Sequence, residues 1–104
     1  MANTLVNGER LQRFIVSIQY FVSKDLIDGK DIVKDVSQKM RRHPNNVRAA
    51  LRGDNRYLTN IFIKAFCSVY KNIVSPEWVW SGEGTMNVNT QSIRTKIMRN
   101  LYHI

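Results

Sequence analysis

Between residues 41 and 56 the chain gathers Arg41, Arg42, His43, Asn45, Asn46, Arg48, Arg52 and Arg56. A guanidinium carries five donors in a fixed fork, a primary amide pairs an acceptor with two donors, and a neutral imidazole offers one of each. Groups of this kind bind a polar partner; nothing beside them suggests bond-breaking chemistry. Two histidines and one cysteine in 104 residues provide no metal-ligand spacing. Ser81-Gly82-Glu83-Gly84 lacks the preceding strand that a phosphate-cradling glycine loop requires. No catalytic residue, cofactor, metal ion or small-molecule substrate is therefore expected. Cys67, between Phe66 and Val69 on an apolar helix face, is expected to be a buried, inert thiol.

The charge distribution points to the same segment. The net charge is +8, and it is unevenly spread. Residues 30–56 hold eight bases (Lys30, Lys34, Lys39, Arg41, Arg42, Arg48, Arg52, Arg56) against Asp31, Asp35 and Asp54, which leaves +5. Residues 84–104 carry Arg94, Lys96 and Arg99 with no acid, and the remaining segments balance. Cations concentrated in one place suit a polyanionic partner.

These residues must be positioned by helices, because the apolar spacing is helical throughout. Leu11, Phe14, Ile15, Ile18, Phe21, Val22 and Leu26 predict a long first helix from about residue 7 to 27. Ile32, Val33, Val36 and Met40 predict a second from Asp31 to Met40. Pro44 disfavours helical geometry at His43 and is suited to the first turn of a third helix. That helix is expected to run from about Pro44 to Arg52, bury Val47, Ala50 and Leu51, leave Ala49 outside the core, and end at Gly53. Thr59 can cap a fourth helix, whose inward face is predicted to be Ile61, Phe62, Ala65, Phe66, Val69, Tyr70 and Ile73. Ser75-Pro76-Glu77 opens a short fifth, with serine as cap, proline at the first position and an acid in the first turn. Trp78 and Trp80 are expected at the core or its edge. The whole is an all-α chain of one domain, with no apolar run long enough to span a membrane and no amino-terminal signal pattern, so a cytoplasmic location is expected.

The second and third helices with their tight join have the grammar of a helix-turn-helix. Two segments together resemble the lambda-repressor-like helix-turn-helix family of small phage-type and bacterial transcriptional regulators. Ser37 occupies the motif's small position, Val36, Met40, Val47 and Ala50 its hydrophobic positions, and Gly53 closes the second motif helix. Downstream, Pro76-Glu77-Trp78-Val79-Trp80-Ser81-Gly82-Glu83-Gly84-Thr85-Met86 resembles the Pro-Glu-Trp-Leu-x-x-Gly-Glu-Gly-x-Met ending of many such regulators. The resemblance covers about residues 8–86. It departs at the turn, where Arg41 replaces glycine and Arg42 a hydrophobe. Burying an unpaired guanidinium is costly, so Arg42 is expected to point outward from a somewhat wider turn.

The resemblance implies a five-helix DNA-binding domain over residues 1–86, with the motif at about 31–53, followed by a linker and an amphipathic helix over 87–104. It implies sequence-specific binding of double-stranded DNA by a repressor-like regulator, nucleoid-associated, with helix 44–52 in the major groove. Asn45, Asn46 and Arg48 are then candidates for base contacts, since Asn matches adenine and Arg guanine in bidentate fashion. Asn45 or Asn46 can equally bond local backbone, and Arg48 can simply be solvated. Arg41, Arg42, His43, Arg52, Arg56, Lys30 and Lys34 suit phosphate, with His43 also a possible cap.

Ile93, Ile97, Leu101 and Ile104 fall in a narrow sector of a helical wheel. Such a stripe needs a surface to cover it: the chain's own domain, a second copy, or, given its basic flanks, a membrane surface. Regulators of the implied type usually pair on a two-fold symmetric site, so these residues are the candidate homodimer contact, and a membrane is not an expected partner. The alternative function is a protein-interaction module of the same fold, an antitoxin-like or anti-repressor subunit whose basic face meets an acidic protein.

Overall fold

The computed structural model describes residues 2–87. Five helices follow one another: α1 (Ala2–Ser23), α2 (Ile32–Met40), α3 (Pro44–Leu51), α4 (Asn60–Val69) and α5 (Pro76–Ser81). There is no strand among the described residues; a single antiparallel bridge joins Val74 and Asn87. The chain is all-α. None of these helices is long and apolar enough to cross a membrane. The segment expected to form a sixth helix, including Ile93, Ile97, Leu101 and Ile104, lies outside the described residues.

α1 is the scaffold, packing against both α3 and α5, while α2 packs on α3 and α4. It begins at Ala2 rather than near residue 7, because apolar spacing marks packing rather than helix ends. It also stops four residues earlier than expected: Asp25 takes a left-handed φ of 60°, and the amides of Leu26 and Ile27 fold back onto the Phe21 carbonyl at 2.8 and 3.3 Å. Ile27 is thereby delivered to the core, 2% exposed.

The core is built on aromatic contacts between α1 and α4. Phe14 meets Phe66 edge-on at 4.9 Å between ring centres, and Phe21 stacks on Tyr70 at 4.8 Å. This packing corrects the expected face of α4. Phe62, Ile63, Phe66 and Cys67 point inward, whereas Ile61 is 75% exposed and Val69 38%. The run Ile61-Phe62-Ile63 offers two helical stripes one step apart. The rings of α1 select the one led by Phe62 and Ile63, since aromatic side chains bury the largest areas. Thr59 caps α4 as expected, its hydroxyl accepting from the Phe62 amide at 3.1 Å.

α5 is held by two arginines of α1. Arg13 donates from Nε to the Val79 carbonyl at 3.0 Å and from a terminal nitrogen to the Trp80 carbonyl at 3.2 Å. Arg10 donates to the same Trp80 carbonyl at 2.8 Å and lies 3.4 Å above the Trp80 ring. Burial, and secondarily the neighbouring Arg13, lower the Arg10 pKa below its ordinary value. The last carbonyls of a helix lack intrahelical donors and carry partial negative charge, so these cations close the helix electrostatically. Gly82, with φ 81°, ends α5 where an added Cβ would sit 3.3 Å from Arg13. Ser75 caps the other end, accepting from the Trp78 amide, and its own amide reaches the Met86 carbonyl at 2.8 Å. The Pro76–Met86 segment is thus a clasp across α1, and Trp78 and Trp80 are half-buried against the core.

Candidate nucleic-acid interface

α2 starts at an Asp31 cap, whose carboxylate accepts from the Lys34 amide at 3.1 Å. Val36, Ser37 and Met40 are its buried residues; the small serine at position 37 packs inward with its hydroxyl returned to the Lys34 carbonyl. The helix ends at Arg41, which adopts φ 56° and ψ 44°. This is the left-handed conformation that costs an L-residue about 1–2 kcal/mol and glycine almost nothing. The expectation of a widened turn is therefore corrected: the turn stays tight, with the Arg42 amide on the Ser37 carbonyl at 3.0 Å, and Arg41 itself absorbs the strain. Arg42 is exposed, as the cost of burying its charge requires.

α3 opens with His43 as its cap. Nδ1 of His43 accepts from the Asn45 amide at 3.1 Å, and Pro44 occupies the first helical position. Val47, Ala49 and Ala50 are buried. Ala49 is thus a core residue, 4% exposed, against the expectation that it faced outward, and Leu51 is only half-buried. The helix lies closely enough on its neighbours to cover a third position, which the small Cβ of alanine permits. Asn45, Arg48 and Arg52 are left exposed, with Asn46 half-buried.

The candidate residues are not all brought to one place. Lys34, Gln38, Arg42 and Arg48 line a cleft of about 350 Å³ between α2 and α3, whose one acid is Asp31. Gln38 was not singled out by its type; its position one turn after Lys34 was the available signal. Arg41 and His43 are exposed at the join, and Arg52 is exposed at the far end of α3. Lys30 instead borders an adjoining apolar groove with Ile15, Ile18 and Leu51, which shares Asp31 and Val33 with that cleft. Lys39, though part of the basic count, is engaged internally: its ammonium lies 2.8 Å from Asp35 and donates to the Leu26 carbonyl at 2.6 Å.

Arg56 is also engaged. Its guanidinium forks onto Asp54 at 3.1 and 2.9 Å, and its backbone amide donates to the same carboxylate at 3.0 Å. These contacts, led by the side-chain hydrogen bonds, hold the Asp54 carboxyl down at about 2 and raise the Arg56 pKa in return. Arg48 donates to the Asn45 Oδ1 at 3.0 Å, which couples two of the three candidate base-reading residues. Cys67 is fully buried; burial first, and then the charge of Glu77, push its thiol up to about 12. Among the described residues no cluster of His, Cys, Asp or Glu could hold a metal ion.

Compared with known proteins, the sequence matches no family model, no curated protein and no solved structure.

Proposed function

We propose that the chain is a sequence-specific double-stranded DNA-binding protein, a repressor-like regulator acting in the cytoplasm at the nucleoid, built on a lambda-repressor-like plan and without catalytic activity. One observation carries this reading: α2 and α3, joined by a tight turn, expose Arg42, Asn45, Arg48 and Arg52 while burying Val47, Ala49 and Ala50 behind them. On this reading α3 enters the major groove, and Lys34, Arg41, Arg42, His43 and Arg52 lie toward phosphate. Arg56 adds less than its charge suggests, because Asp54 neutralises it at close range. Lys30 would reach the backbone only at the margin of the footprint. The clasp of Arg10 and Arg13 on α5 supports the reading indirectly, since it fixes α1, against which α3 packs. Pairing of two copies through the Ile93, Ile97, Leu101 and Ile104 stripe belongs to the proposal as well.

Fluorescence anisotropy with a labelled random-sequence duplex tests the core claim. Binding at low salt should weaken steeply as salt rises, with log K falling linearly against log salt. No binding at low ionic strength would end the DNA-binding reading and favour an acidic protein partner instead.

A further inference from the structure

We propose that the exposed tip of α3 reads guanine, through hydrogen-bond donors presented by His43, Asn45 and Arg48. This rests on the DNA-binding reading above and specifies what that interface recognises. Each exposed side chain at the tip that owns an acceptor has directed it inward. His43 uses Nδ1 to accept the Asn45 amide at 3.1 Å, so its ring proton sits on Nε2, facing away from the helix. Asn45 uses Oδ1 to accept from Arg48 at 3.0 Å. That bond also fixes the amide orientation, because a guanidinium has no acceptor and can meet only the oxygen. What these three side chains leave toward solvent is the Nε2–H of His43, the amide NH₂ of Asn45 and the other N–H groups of Arg48.

Both asparagine and arginine can in principle discriminate bases, and the pairing decides between their preferences. Bidentate recognition of adenine by Asn45 needs its Oδ1 free for the N6 amino group while Nδ2 donates to N7. Here a guanidinium lies against that oxygen, so an incoming amino group would meet a cation and its N–H edge. Guanine shows two acceptors, N7 and O6, in the major groove, and these complement Arg48 and Asn45 together. The Nε2–H of His43 is a neutral donor suited to an adjacent phosphate oxygen. Cytosine, with its amino group, is disfavoured for the same reason as adenine. Asn45 is therefore a positioning residue as well as a donor: it holds the guanidinium of Arg48 beside its own amide.

The full chain is used to select sequences from a random duplex pool, and affinities are then measured on the selected duplex. Guanine is expected at the positions facing Asn45 and Arg48, and exchanging it for adenine should weaken binding on the order of tenfold or more. R48K keeps the charge but not the planar fork, so it should erase the guanine preference while leaving the salt dependence of non-specific binding in place. In the free protein, 15N NMR should find the His43 proton on Nε2. Selection of adenine or cytosine at those positions, or a proton on Nδ1, overturns the donor-surface inference and leaves DNA binding standing. Failure to recover any duplex at low salt overturns the DNA-binding reading itself.

Discussion

Replacing Arg41 by glycine should make the protein more stable and a weaker binder of DNA, and the two effects can be separated. Arg41 sits at φ 56° and ψ 44°, where an L-residue loses about 1–2 kcal/mol relative to its preferred basins. Glycine removes that strain but has more freedom to lose on folding, which offsets about 0.5–1 kcal/mol. The net gain is about 0.5–1 kcal/mol, or roughly 2–8 °C in Tm at about 4–8 °C per kcal/mol for a domain of this size. The backbone bond from the Arg41 amide to the Gln38 carbonyl survives the change, and the exposed side chain takes no core packing with it. R41A is the matched control: it deletes the same charge but keeps a Cβ in the left-handed basin, so its stability should stay near that of the parent. On DNA the two variants should behave alike, each reducing the salt slope by about 0.9 if one phosphate contact is lost. Thermal unfolding by circular dichroism and anisotropy titrations at several salt concentrations measure both quantities. A glycine variant no more stable than the alanine variant would refute the left-handed turn. Unchanged affinity and slope in both would refute a phosphate contact at Arg41.

R13Q should release the Val79 carbonyl, leave the Trp80 carbonyl to Arg10 alone, and destabilise the fold by about 1.5–3 kcal/mol, the range for hydrogen bonds made by a charged group; urea unfolding followed by tryptophan fluorescence reports it. Asp54 is held at about 2 against an ordinary 3.8, so in the acid range the unfolded state binds the proton first. Its stabilising contribution is present above pH 3.8 and is lost as pH falls toward 2, and D54N should flatten that part of the pH-stability curve. For Cys67 the sign reverses: the unfolded thiol ionises near 9.0 and the folded one only at about 12, so stability should fall as pH rises through that window. The native thiol should accordingly resist alkylation at pH 8 until denaturant is added.

The five helices of the described residues, the caps at Thr59 and Ser75, and the breaks at Pro44 and Gly82 were all legible in the sequence, because each depends on residues within one turn of the position concerned. The cationic segment was legible for a similar reason, since charge is carried by composition. The candidate site was legible only as a pool of residues. Arg56 belongs to that pool by type, and its engagement with Asp54 depends on how the loop after α3 places the two side chains in contact. The offset face of α4 and the misplaced Ala49 share one cause: a helical stripe fixes a direction only when a neighbour is specified, and the neighbours, α1 and α2, come from elsewhere in the chain.

By itself, then, the sequence determined helices throughout the described residues, a break between two short ones at Pro44, and an excess of positive charge beside it. Tertiary structure alone decided that Arg10 and Arg13, unremarkable in a charge count, reach some seventy residues along the chain to close α5. It also decided that Ile27 returns to the core beyond the end of α1 and that Ala49 is covered on α3. The physical reason is the same in each case. Propensity, capping and charge are properties of neighbouring residues, whereas a hydrogen bond or a buried face exists only once two surfaces have been brought together and one of several possible partners has been chosen.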